Sequence, residues 1–100
     1  MKLPKSIVIL GRKFSVKVVK HELTVDGKAA SGVTDTVNRI IEIEHGLPLR
    51  EQLGILSHEI GHATLSINGL SETLTDREVE IVCQTCRSVV EDFVKAFNKR

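Results

Sequence analysis

The chain has no tryptophan and no tyrosine, and its three aromatic residues are all phenylalanine. A surface of stacked aromatics for single-stranded bases is therefore not available. Charge of one sign is also lacking: 14 basic residues stand against 13 acidic ones, a net charge of +1. That balance offers no electrostatic footprint for nucleic acid and no basic patch for a membrane surface. Cysteine is scarce, with only Cys83 and Cys86, three apart in a helical pattern. Two thiols so placed make no ordinary disulfide framework, and a reducing, cytoplasmic setting is the simplest expectation. Long apolar runs are missing too. Ile7 to Leu10 is followed at once by Gly11-Arg12-Lys13, too short for a signal-peptide core or a membrane span.

What is present suits a packed globular domain. Apolar residues make up 41% and charged residues 27% of 100 positions, enough for one domain, residues 1–100, around a single core without covalent staples. The first part reads as strands. Ile7 to Leu10 and Phe14 to Val18 form a hairpin signal around Gly11-Arg12-Lys13, and the second segment alternates with period two. A third strand is expected from about Val37 to Glu44, where Ile41 and Ile43 alternate with Glu42 and Glu44. Asp26-Gly27 and Ser31-Gly32 mark the stretch between as turn-rich.

The second half reads as two helices. Pro48 is placed at a first helical position, and Leu53, Leu56, Ile60, Ala63 and Ile67 recur on one face of a segment ending at Asn68-Gly69. Thr75 with Glu78 forms a capping box, and Leu74 with Val79 a hydrophobic staple, opening a helix to about Phe97. Its apolar stripe is Val79, Val82, Cys83, Cys86, Val90, Phe93 and Phe97, which assigns the two cysteines to core packing. The expected class is α+β: a small three-stranded antiparallel or mixed sheet packed with two helices.

His58-Glu59-Ile60-Gly61-His62 lies within the first of those helices and matches His-Glu-x-x-His. Residues four apart on a helix point within about 40° of each other, so the two imidazoles can reach one tetrahedral ion. Glu59 is rotated about 100° from His58, where a carboxylate takes a proton from water without ligating the metal. With four histidines and nine glutamates in the chain, chance produces this pattern about once in a hundred shuffles. Histidines on an amphipathic helix are otherwise usually plain surface residues.

A zinc site that does chemistry needs a third protein ligand and an open position. Glu78 and Glu80 are the nearby carboxylates, and on a helix they point about 160° apart, so both cannot serve. Glu78 is already engaged by the capping box. Glu80 is therefore favoured, with Glu78 as the alternative.

The run HEIGHA, followed by Gly69-Leu70-Ser71-Glu72 and by Glu78-Val79-Glu80-Ile81-Val82, resembles short phage and bacterial proteins related to the ImmA/IrrE metallopeptidase group. The resemblance spans residues 39–90. It implies a minimal gluzincin-like, zincin-type domain with Zn²⁺ on His58, His62 and a downstream glutamate that matches Glu80, and with Glu59 as general base. It further implies a peptide or protein substrate, such as a repressor or regulatory protein. The strand around Ile40 to Glu44 would then be the sheet edge along which an extended peptide lies. Zinc peptidases commonly add a tyrosine or histidine to stabilise the oxyanion, and here only His21 and His45 remain for that role. The competing expectation is a zincin-like fold used as a binding or regulatory module, with the metal structural or the site unused.

Overall fold

The protein is described by a computed structural model covering residues 2–98, apart from the side chains of Ser71, Phe93, Val94, Phe97 and Asn98. Strands β1 (Ser6–Ile9) and β2 (Arg12–Val19) form the expected antiparallel hairpin, with Ile7 opposite Phe14. The turn is tighter than the sequence suggests: Leu10 and Gly11 both take left-handed φ, and Arg12 and Lys13 already belong to β2. A two-residue turn of this hand matches the natural twist of the flanking strands.

After β2 come three short strands, β3 (Thr24–Val25), β4 (Lys28–Ala29) and β5 (Gly32–Asp35), and then β6 (Ile40–Glu44). β3 and β4 pair as a separate small hairpin across Asp26-Gly27. β6 lies parallel to β2, with Val16 beside Ile41 and Val18 beside Ile43. β5 runs antiparallel to β6 on its far side, with Gly32 opposite Ile43 and Thr34 opposite Ile41. The main sheet is therefore mixed and four-stranded, in the order β1-β2-β6-β5. The class is α+β, with one strand more in the main sheet than the sequence pattern suggests.

Two expectations about this region are corrected. The third strand starts at Ile40 and not at Val37, because Asp35 builds a turn by accepting hydrogen bonds from the backbone N–H of Val37 and Asn38 through Oδ1, and Arg39 is left-handed. The edges of the sheet are β1 and β5, and β6 is paired on both sides.

One face of the sheet is apolar. Ile9, Phe14, Val16, Ile41 and Ile43 are buried there against Ile55, Leu56 and Ala63 of α1 (Leu49–Ile67). Pro48 sits at the N-cap of α1 and not within its first turn, its ψ of 149° lying outside the helical range. The helix stops at Asn68, and Gly69, with φ of 74°, takes the left-handed conformation a side chain disfavours. A single-turn helix, α2 (Leu70–Thr73), follows, and then α3 (Asp76–Asn98).

α3 begins as its capping residues dictate. The N–H of Thr75 donates to Glu78 Oε1 at 2.9 Å, and the N–H of Glu78 donates to Thr75 Oγ1 at 3.1 Å. Leu74 packs with Val79, Cys83 and Leu65 in a second apolar cluster under the loop. α3 lies against α1 antiparallel and close. A methyl group placed on Gly61 would sit 3.1 Å from Cys83 Sγ and 3.3 Å from Cys83 Cα, and one on Gly54 would sit 3.0 Å from Arg87 Nε. Gly54 and Gly61 are seven apart, so the helix face they share is kept flat at both ends.

The Gly61 contact is with backbone, which cannot swing aside. Gly61→Ala is expected to destabilise the fold by about 1–3 kcal/mol through overpacking, read as a lower midpoint in urea with an unchanged slope. An unchanged midpoint would show that the helices do not meet this closely.

Candidate metal centre

α1 is buried on two sides, by the sheet and by α3, and His58 and His62 emerge between them. Their ring centroids are 5.0 Å apart and tilted by 58°. Across from them, the second turn of α3 presents Glu80. Its Oε1 lies 3.0 Å from His62 Nε2 and its Oε2 lies 3.4 Å from His58 Nε2. Both imidazoles thus turn the same nitrogen toward one carboxylate. A zinc ion bound tetrahedrally at about 2.0–2.2 Å from nitrogen and oxygen sets its ligand atoms about 3.3–3.6 Å apart, which these separations approach. The two-histidine, one-carboxylate donor set suits the ion, and the exposed flank of Glu80 leaves the remaining side open.

Glu78 is placed elsewhere. It is spent on the N–H of Thr75, whose hydrogen bond holds its carboxyl below the ordinary glutamate range. Glu78 is not part of the cleft wall.

Cys83 enters the site where the sequence places only core. It is fully buried, as its position on the apolar stripe requires, but a ligand atom from each of His58, His62 and Cys83 lies within 4.8 Å of the others. Burial, with the charge of Glu80 next in weight, pushes its thiol up to about 12. Cys83 packs on Gly61 and does not border the cleft, so it approaches the histidines from the floor of the site while Glu80 approaches from the open side. Cys86, half-buried and also a free thiol, takes no part in this cluster. His58 Nδ1 is buried with no hydrogen-bond partner among the described residues. With an ion on Nε2, the ring proton would sit on this buried Nδ1.

Glu59 is 7% exposed, and β5 holds it there. Thr34 Oγ1 donates to Glu59 Oε1 at 2.8 Å. At Gly32, a methyl group would come within 3.1 Å of Glu59 Cγ and 2.6 Å of Ile55 Cγ2. Gly32 and Thr34 stand opposite Ile43 and Ile41, which points both toward α1. One therefore leaves space for the Glu59 side chain and the other fixes one oxygen of its carboxylate. The sequence pattern marks Ser31-Gly32 as turn and singles out neither Gly32 nor Thr34 for the site. A Gly-x-Thr segment next to a strand is the only local signal, and by itself it has no meaning.

These groups share a cleft of about 690 Å³. β5 and Thr24 and Val25 of the small hairpin line one side, and α1 with Glu80, Gln84 and Arg87 of α3 the other. Among the described residues the outer side of β5 carries no strand, so the unpaired edge beside the site belongs to β5, in place of the expected Ile40–Glu44. His21 pairs with Glu42 at 3.5 Å on the other face of the sheet and His45 is exposed after β6, and neither borders the cleft. The two residues considered for oxyanion stabilisation thus lie outside the cleft that holds His58, Glu59 and His62.

No helix among the described residues is long and apolar enough to cross a membrane. Comparison of the chain with protein-family models, with curated proteins and with solved structures gives no match.

The two glutamates separate in a metal-binding measurement. Glu80→Ala is expected to weaken zinc binding at least about tenfold, whereas Glu78→Ala keeps zinc and instead lowers the melting temperature through loss of the cap. Competition with a chromophoric chelator reads the first effect and circular dichroism the second. Zinc affinity that follows Glu78 and not Glu80 would reverse the assignment.

Proposed function

We propose that this chain is a zinc-dependent hydrolase of peptide bonds, of the HExxH, gluzincin-like type. The observation that carries the proposal is the convergence of His58 and His62 Nε2 on the carboxylate of Glu80, beside a buried glutamate, in a cleft bordered by an edge strand. His58, His62 and Glu80 are the residues that would hold Zn²⁺. When bound there, the ion supplies Lewis acidity and water of lowered pKa.

The rest is the work of the chain. Thr34 occupies Oε1 of Glu59, which leaves Oε2 to accept a proton from the attacking water and pass it to the leaving amine. The edge of β5 offers backbone N–H and C=O groups to an extended peptide, and strand addition holds a substrate in register without demanding a particular sequence. Ile55 and Val25 lend the cleft apolar surface that limits water. The substrate is accordingly a peptide or an extended segment of a protein. The resemblance of HEIGHA and the helix that follows it to phage and bacterial metallopeptidases suggests a repressor or other regulatory protein. Two free cysteines suit a cytoplasmic setting.

A second reading draws on Cys83. With its thiol added to His58, His62 and Glu80, the site would close with four ligands, as structural zinc sites do, and the domain would serve as a binding or regulatory module. The lack of a tyrosine or a further histidine on the cleft wall also favours it.

Glu59→Gln separates the two readings. The variant is expected to keep zinc at about the wild-type stoichiometry while losing cleavage of a mixed peptide library by at least about a hundredfold, followed by mass spectrometry. A wild-type protein that holds zinc but cuts nothing would leave the binding module as the reading.

A further inference from the structure

The cleft continues past the metal site to a cation that the hydrolytic steps leave unused. Arg87 borders it, half-buried, and is the only lysine or arginine on its wall among the described residues. Its Nε donates to Glu91 Oε1 at 2.8 Å, which fixes the guanidinium in direction. Its two terminal nitrogens make no hydrogen bond to the protein among the described residues. A guanidinium anchored through Nε, with its terminal pair free, retains the fork that grips a carboxylate.

Its place along the cleft follows from the packing. Gly32 lies against Ile55 and Glu59, Thr34 against Glu59, and Thr36 Oγ1 is 3.5 Å from Ser66 Oγ. β5 therefore runs alongside α1 in the same direction. α3 runs the opposite way, with Cys83 against Gly61 and Arg87 against Gly54. Arg87 thus stands at the Gly32 end of the cleft, two turns beyond Glu80, a rise of about 10 Å. An extended chain covers that distance in about three residues. A peptide added antiparallel to β5 enters at the Thr36 end and reaches Arg87 with residues that follow the metal site.

We propose that Arg87 forms a carboxylate-binding subsite for the residue about three positions C-terminal to the bond that is cut. This rests on the hydrolase reading and adds a substrate class to it: peptides with an acidic side chain, or with their own C-terminal carboxylate, at that position. The Arg87–Glu91 pair orients the guanidinium without using its terminal donors.

The test uses ligands whose register the metal fixes. Four compounds carry an N-terminal hydroxamate group followed by three residues: Leu-Ala-Asp amide, Leu-Ala-Asn amide, Leu-Ala-Ala free acid and Leu-Ala-Ala amide. Calorimetry on the zinc-loaded protein measures their affinities without need of cleavage. In at least one pair, the carboxylate compound is expected to bind about tenfold more tightly than its neutral counterpart. An advantage confined to the aspartate pair assigns the subsite to an acidic side chain, and one confined to the free-acid pair assigns it to a chain terminus.

Arg87→Gln should reduce the advantage to less than about twofold while neutral compounds bind as before, and Arg87→Lys should keep part of it. Melting curves of both variants check the fold. Hydroxamates that bind without any carboxylate advantage, or an advantage that survives Arg87→Gln, would overturn the subsite and leave the hydrolase reading standing. A protein that holds no zinc and binds none of the four overturns that reading, and the subsite with it.

Discussion

The close approach of α3 to α1 is the constraint on which the rest of the site depends. Two histidines on one helix supply half a metal site, and a third donor must come from another element at a distance set by packing. Here the distance is set by a missing side chain: Gly61, inside the HEIGH motif, lets Cys83 settle against the α1 backbone. Glu80, one turn earlier on α3, is thereby carried to 3.0 and 3.4 Å from the two Nε2 atoms. A bulkier residue at position 61 would separate the helices and withdraw the carboxylate before it altered any ligand. One motif thus supplies the two histidines, the buried glutamate and the space through which Glu80 arrives.

The sheet makes a complementary contribution through β5. A strand next to a helix normally buries apolar side chains against it, and β2 and β6 do so with Phe14, Val16, Ile41 and Ile43. β5 instead turns Gly32 and Thr34 toward α1, because the group it meets there is the carboxylate of Glu59. Burying a carboxylate is costly unless donors satisfy it, and the Thr34 hydroxyl is such a donor. The same strand is one edge of the sheet, so the element that holds Glu59 also borders the space a peptide would occupy in the proposed hydrolase.

This division explains which features are legible in the sequence. The hairpin of β1 and β2, the α1 helix, the capping box at Thr75 and Glu78 and the His58–His62 spacing are local patterns, and each occurs where its residues place it. The choice of Glu80 over Glu78 as the carboxylate facing the histidines is legible for the same reason, since capping already commits Glu78. β5 is not legible. Its inward positions are glycine and threonine, so the alternation that reveals a half-buried strand is absent where the strand serves the site. Without β5, the sheet edge falls wrongly on β6. Cys83 and Arg87 look like a core residue and an ordinary helix charge, because their proximity to the cleft comes from the crossing of two helices and from no spacing along the chain.

Glu80 and Cys83 lie three apart on α3 and define two kinds of site, one with the carboxylate alone and one with the thiol added to it. Glu80 faces the cleft and, as a ligand, would leave an open coordination position, as hydrolysis requires, whereas Cys83 would close the site from within. X-ray absorption at the zinc edge of the purified, zinc-loaded protein distinguishes them most directly. A hydrolytic centre on His58, His62 and Glu80 is expected to show about one zinc per chain, in a first shell of nitrogen and oxygen only, at about 2.0–2.2 Å. A sulfur neighbour at about 2.3 Å, or a folded protein that takes up no zinc, would contradict that assignment.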